Sequence, residues 1–121
     1  MRTTRDVVAA HLQCQRLGDL ETDLAENYAD GVVVITWGGG AHRGHEGVRR
    51  LAETTHSYAG PGRHVYEDIT VADDYALLTW TARGEAGRVR QGADTLVVRD
   101  GHIVAQTTHD WVSAAGTDVE S

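Results

Sequence analysis

Asp100-Gly101 divides the stretch from Ala93 to Val112, ADTLVVRDGHIVAQTTHDWV, into two runs rich in β-branched residues. An Asp-Gly pair supplies the positive φ angles of a tight turn, so this stretch reads as one β-hairpin. Period-two alternation places Asp94, Leu96 and Val98 on one face of its first strand, opposite Thr95, Val97 and Arg99. On the return strand Gln106, Thr108 and Asp110 share a face, opposed by Ile103, Ala105, Thr107, His109 and Trp111. A face that mixes Leu96 and Val98 with Asp94, Thr108 and Asp110 reads as a cavity wall, because a plain core excludes carboxylates. A sheet that is wet on one side would give the same mixture.

The remainder supplies layers for this hairpin. Thr4-Arg5-Asp6 opens a helix whose apolar stripe runs through Val7, Val8, Ala10, Leu12, Cys14 and Leu17, and Gly18 ends it. Asp19 caps a second, shorter helix carrying Leu20, Leu24 and Tyr28, closed by Asp30-Gly31. Val32 to Trp37 is a strand, and Gly38-Gly39-Gly40 is a bend that lacks the lysine of a phosphate loop. His45-Glu46-Gly47 leads a third helix with Val48, Leu51, Ala52 and Thr55 at helical spacing, stopped by Gly60-Pro61-Gly62. Period two then predicts strands over His64–Ala72, Tyr75–Gly84 and Arg88–Arg99, with turns at Asp73-Asp74 and Glu85-Ala86-Gly87. Ala76, Leu78, Trp80 and Ala82 share one face of the middle strand. The tail from Ala114 is small and polar, so the ordered core spans about residues 4–113.

A chain of 121 residues makes one domain, residues 1–121, around a single core. The net charge of −7 argues against binding the nucleic-acid backbone, which calls for a basic patch. The longest strongly apolar run, Val32 to Ile35, is far too short to span a membrane. With a polar N-terminus lacking an apolar signal segment, this predicts a cytoplasmic protein. All eleven basic residues are arginine, so Schiff-base chemistry through lysine is excluded. Cys14 is the sole cysteine, which rules out an intrachain disulfide or a cysteine metal cluster. His42-x-x-His45 has spacing that suits two zinc ligands, but nothing in the sequence supplies a third, so no metal is expected.

Helix, helix, strand, helix and then antiparallel strands is an α+β plan with the helices gathered on one face of a sheet. That order, with the phrases GDLETDLAENYADGVVV, GHEGVRRL and DTLVVRDGHIVAQTTHDW, resembles the SnoaL-like branch of the nuclear-transport-factor-2-like superfamily over about residues 4–113. The resemblance implies a cystatin/NTF2-like cone, in which three N-terminal helices pack on a curled, mainly antiparallel sheet. It also implies a mouth that admits an apolar small molecule, and a homodimer.

Ketosteroid isomerases of this superfamily bind the substrate oxygen with a tyrosine and an aspartic acid and move the proton with a second aspartate. Matching residue by residue, those positions fall on His11, on Asp94 and at or beside Thr36, and threonine cannot serve as that base. SnoaL-type cyclases place an aspartate at about Thr108, where the nearest carboxylate here is Asp110 on the same face. The related epoxide hydrolases need an Arg-x-Asp unit where this chain has Thr79-Trp80-Thr81-Ala82. What remains is Asp94, His11 and Asp110 as catalytic candidates, in a pocket walled by Trp37, Trp80, Tyr28, Leu96, Val98, Gln106 and Thr108. A histidine beside a desolvated carboxyl makes an acid–base pair. The expected activity is cofactor-free acid–base chemistry of cyclase, isomerase or hydrolase type on a hydrophobic, oxygen-bearing ligand. The alternative is a noncatalytic ligand-binding or dimerisation module of the same fold. Trp111, on the outer face with Val97 and His109, suits a dimer interface.

Overall fold

A computed structural model describes residues 1–58, 64–84 and 89–113. Helix α1 (Thr4–Leu17) starts at a reciprocal capping box: Thr3 accepts from the Asp6 amide while the Asp6 carboxylate accepts from the Thr3 amide. It ends at Gly18, whose φ of 68° is left-handed. Asp19 caps α2 (Leu20–Asn27) through the Thr22 amide. The third helix, α3 (Gly44–Tyr58), buries Val48.

Six strands form one sheet: β1 (Tyr28–Thr36), β2 (Gly40–Arg43), β3 (His64–Ala72), β4 (Tyr75–Arg83), β5 (Val89–Arg99) and β6 (His102–Ser113). Their order is β2-β1-β6-β5-β4-β3. Every neighbouring pair is antiparallel except β1 and β6, which run parallel. The Asp100-Gly101 turn has φ of 52° and 74° at its two residues, the left-handed pair that a two-residue hairpin requires. The helices cover the inner face of the sheet around a core that includes Val7, Leu24, Val32, Leu78, Leu96 and Ile103. This is the α+β plan of the element order, in the cone that the family resemblance implies.

Three local expectations change. Tyr28 is not the last residue of α2 but the first of β1, and Asp30-Gly31 lies inside that strand. Pairing of Tyr28 with Ile103 of β6 holds it extended, which outweighs a weak local helix preference. The triple glycine does not merely bend the chain; it turns β1 back into the short strand β2. Ile103, assigned by parity to the outer face, is fully buried. A bulge lies between Val97↔Ala105 and Val98↔Ile103, and the extra residue, Val104, reverses the parity before it. The expected breaks at Gly60-Pro61-Gly62 and Glu85-Ala86-Gly87 lie outside the described residues, as does the tail from Ala114. Among the described residues no helix is long and apolar enough to cross a membrane.

Candidate functional site

Neighbouring strands bring a row of polar side chains to the inner face. Register pairs Tyr66 of β3 with Trp80 of β4, Trp80 with Gly92 of β5, and Asp94 with Thr108 of β6. Asp94 is 3% exposed. One carboxylate oxygen accepts from Trp80 Nε1 at 2.9 Å and the other takes a longer contact from the Tyr66 hydroxyl at 3.4 Å. Burial pushes the Asp94 carboxyl up to about 6, against the lowering pull of Trp80, Thr108, His11 and Tyr66. The Thr108 hydroxyl lies beside the carboxylate and favours its charged form without reaching full hydrogen-bond geometry. Burial likewise drives the phenols of Tyr28 and Tyr66 well above their ordinary range, so both stay protonated donors at neutral pH.

Trp80 can hold Asp94 because residue 92 has no side chain. A Cβ on Gly92 would stand 2.2 Å from the Trp80 ring, so the indole lies flat across the glycine. Trp80 and Ala82 form a small buried cluster with Tyr66, separate from the main core.

Asp94, Tyr66, Trp80, Thr108, Gln106 and Tyr28 line a cavity of about 60 Å³ beneath α3. The Tyr28 hydroxyl donates to Gln106 Oε1 on one side of it. A larger cleft of about 460 Å³ shares Leu51 and Thr108 with that cavity, and Trp37, Arg50, Arg90 and Asp110 stand around it. The two adjoin at those shared residues, a narrow chamber beside a wider vestibule. The vestibule has the volume of a small-molecule site, whereas the chamber alone has room for a few atoms.

Tyr28, Trp80, Gln106, Thr108 and Asp94 are therefore brought together. His11 is buried, but its Nδ1 lies 2.8 Å from Asp23 Oδ2 and not against Asp94. The edge-on ring of Tyr28, 5.6 Å between centroids, is its aromatic neighbour, and His11 does not line the chamber. The desolvated carboxyl beside His11 is thus Asp23, which α2 presents to α1 and which Asn27 Nδ2 also reaches at 2.8 Å. Asp110 sits at the vestibule, paired with Arg90 at 2.6 Å. Leu96 and Val98 pack into the apolar core and do not line the chamber. Trp37 is 73% exposed and stacks on His109. Parity turns it outward with Ile35, so it reaches the vestibule from the rim and does not wall the chamber. His42 and His45 each donate to a backbone carbonyl, of Gly39 and Tyr28 respectively. Among the described residues no three side chains of metal-ligating type converge.

The buried Asp23 and the partly buried His64 and Tyr66 add polar groups that were not singled out as site candidates from the sequence. Tyr66 and His64 share the inward parity of β3. That face was hidden because the intervening Val65 is the apolar one and is 54% exposed.

A family profile described as a SnoaL-like domain matches residues 8–106. No curated protein matches the chain. Solved structures do. IdmH, a candidate polyketide cyclase from Streptomyces antibioticus, superposes with a TM-score of 0.74 at 24% identity, covering 90% of this chain and 92% of its own. A candidate polyketide cyclase from Xanthomonas campestris gives 0.69 at 21% identity over 88% of each chain. An NTF-2-like protein of unknown function from Burkholderia xenovorans gives 0.73 at 17% identity, over 98% of this chain and 88% of that one.

Proposed function

The chain belongs to the SnoaL-like domain family, and from that premise we propose that it performs cofactor-free acid–base chemistry on a hydrophobic, oxygen-bearing small molecule, of cyclase or isomerase type. Asp94 carries the reading. A carboxyl titrating at about 6 is mostly ionised at neutral pH, yet basic enough to take a proton from carbon next to a carbonyl and return it. The negative charge then passes from the carboxylate to the substrate oxygen and back, so no cofactor is needed. Trp80 and Tyr66 fix the carboxylate, and the vestibule takes the body of the ligand while its reacting end enters the chamber. The solved cyclase-like structures lend their fold to this reading and nothing about substrate.

The test is hydrogen–deuterium exchange at the α-carbon of cyclic ketones and lactones in D₂O, followed by NMR. The wild type should accelerate exchange for at least one compound. Asp94→Asn should lose about a hundredfold or more, the range for removing a general base. Full exchange activity in Asp94→Asn would sink the reading. A noncatalytic binding module is the second reading, favoured by the small volume of the chamber. Ligand binding without exchange in the wild type would select it.

We also propose a homodimer through the outer face of the sheet. The cross-strand row Ile35–Thr107–Thr95–Leu77 leaves Ile35 and Leu77 about half exposed, and Tyr75 and Trp111 flank it. Light scattering that shows a single 13.1 kDa species would overturn this.

A further inference from the structure

His64 opens β3 on the same face as Tyr66. Its ring packs on two aromatics, Tyr66 at 4.9 Å and Trp80 at 4.3 Å between centroids, and these two are the side chains that hold Asp94. Both of its ring nitrogens are buried and neither has a hydrogen-bond partner among the described residues. The imidazole lines the chamber with Asp94 and Thr108, whose hydroxyl is the other buried chamber-lining group left without a full hydrogen bond. Stranding a polar atom away from water costs about 1–3 kcal/mol, so a fold rarely keeps several in one place unless something else satisfies them. These orphans gather around one small void.

We propose that His64 is a substrate-contacting residue: as a neutral imidazole it donates its N–H to the oxygen of the bound ligand, opposite Asp94. The inference rests on the reading that the chamber takes an oxygen-bearing group, and it names the partner of that oxygen. The electrostatics agree with the neutral form. Burial, with a smaller push from His11 and against the pull of Asp110, holds the imidazole down to about 4. Asp94 and the protonated phenols of Tyr66 and Tyr28 are the remaining titratable groups of the chamber. When Asp94 takes the α-proton, the carboxylate becomes a carboxylic acid and the charge appears on the ligand's enolate oxygen. The His64 N–H and the Thr108 hydroxyl are the donors free to receive it, because Trp80 Nε1 is already committed to Asp94. A neutral imidazole stabilises that charge without surrendering a proton, so the proton balance stays with Asp94 alone. The ligand class is an enolisable ketone or its stable mimic, a phenol.

The test uses p-nitrophenol, whose absorbance reports its own ionisation, with ¹⁵N spectra of the histidine rings. In the wild type, binding should shift one His64 ring nitrogen towards a hydrogen-bonded N–H, and bound p-nitrophenol should ionise at lower pH than it does free. His64→Phe keeps the aromatic stack and removes the donor; it should weaken binding roughly tenfold and abolish the ionisation shift. His64→Gln restores a donor and should recover part of both, which separates a lost hydrogen bond from a damaged fold. Equal binding and ionisation in wild type and His64→Phe, or an unmoved His64 nitrogen at saturation, would overturn the role of His64 and leave Asp94 untouched. Failure of the wild type to bind p-nitrophenol at all would count against the oxygen-binding chamber itself, and this inference would fall with it.

Discussion

Two clusters of buried polar groups lie within this small domain, and they are built on opposite principles. Between α1 and α2, His11, Asp23 and Asn27 are each about 1% exposed, and Asp23 is engaged at both oxygens. Arg2 extends the network by donating to Asn27 Oδ1 at 2.8 Å and to the Gly101 carbonyl at 2.7 Å, which ties the helices to the hairpin turn. Across the sheet, the Asp94 chamber leaves His64 and Thr108 polar atoms unmet beside a void, and its carboxyl is shifted to about 6. Polarity of the first kind, nearly closed with only His11 Nε2 unmet among its three residues, holds two helices together. Open polarity of the second kind waits for a ligand.

Breaking the closed cluster should have the largest effect on stability. Asp23→Ala leaves His11 and Asn27 facing each other without their shared acceptor, and should cost about 3–5 kcal/mol in chemical denaturation. A loss under about 1 kcal/mol would mean the helix cluster is no more structural than the chamber. The opposite sign is expected at Asp94. Its folded pKa is raised above the ordinary 3.8, so its contribution is fully present below that value and is lost as pH rises towards 6. A rise from 3.8 to about 6 corresponds to about 3 kcal/mol. Asp94→Asn should therefore be more stable than wild type at pH 7, by roughly 1–3 kcal/mol, and the gap should close as pH falls to 4. Activity that depends on the Asp94 base should run the other way, rising with pH through about 6 to a plateau.

Smaller changes sharpen the contrast. Gly92→Ala pushes the Trp80 ring off its seat and should cost about 1–3 kcal/mol, the range for overpacking. Its signature is a changed tryptophan fluorescence and a further rise in the Asp94 pKa, because a hydrogen bond that favours the carboxylate is lost. Smallest of all is Asp110→Asn at the vestibule, which removes a partly exposed ion pair with Arg90 and should change stability by under about 1 kcal/mol. A larger effect there would move Asp110 from the rim into the working part of the site.

How far the sequence led depended on whether local pattern or long-range pairing decided the outcome. The hairpin was legible because Asp100-Gly101 and the alternation around it act locally, and with it came the inward direction of Asp94, Gln106 and Thr108. Ile103 was not, because a bulge one residue long cannot be seen in a period-two pattern. Tyr28 was misjudged for a related reason, since its partner in β6 is far away in the chain, and the bend at the triple glycine was read without the short strand β2 that follows it. The His11–Asp23 pair depends on how α1 and α2 cross, which spacing along either helix does not determine. His64 and Tyr66 were obscured by apolar residues on the outer face. Val65, Leu77 and Ile35 are all exposed there, so hydrophobicity stops marking the inside.

The contrast between a closed and an open polar cluster stands or falls on Asp94, whose carboxyl can be followed directly by ¹³C NMR across a pH titration and assigned by its disappearance in Asp94→Asn. The account predicts a midpoint at about 6 in the free protein. A midpoint near the ordinary value of 3.8 would mean that the carboxylate is solvated or fully paired. Asp94 would then be no different in kind from a structural side chain, and the chamber would lose its claim to acid–base chemistry.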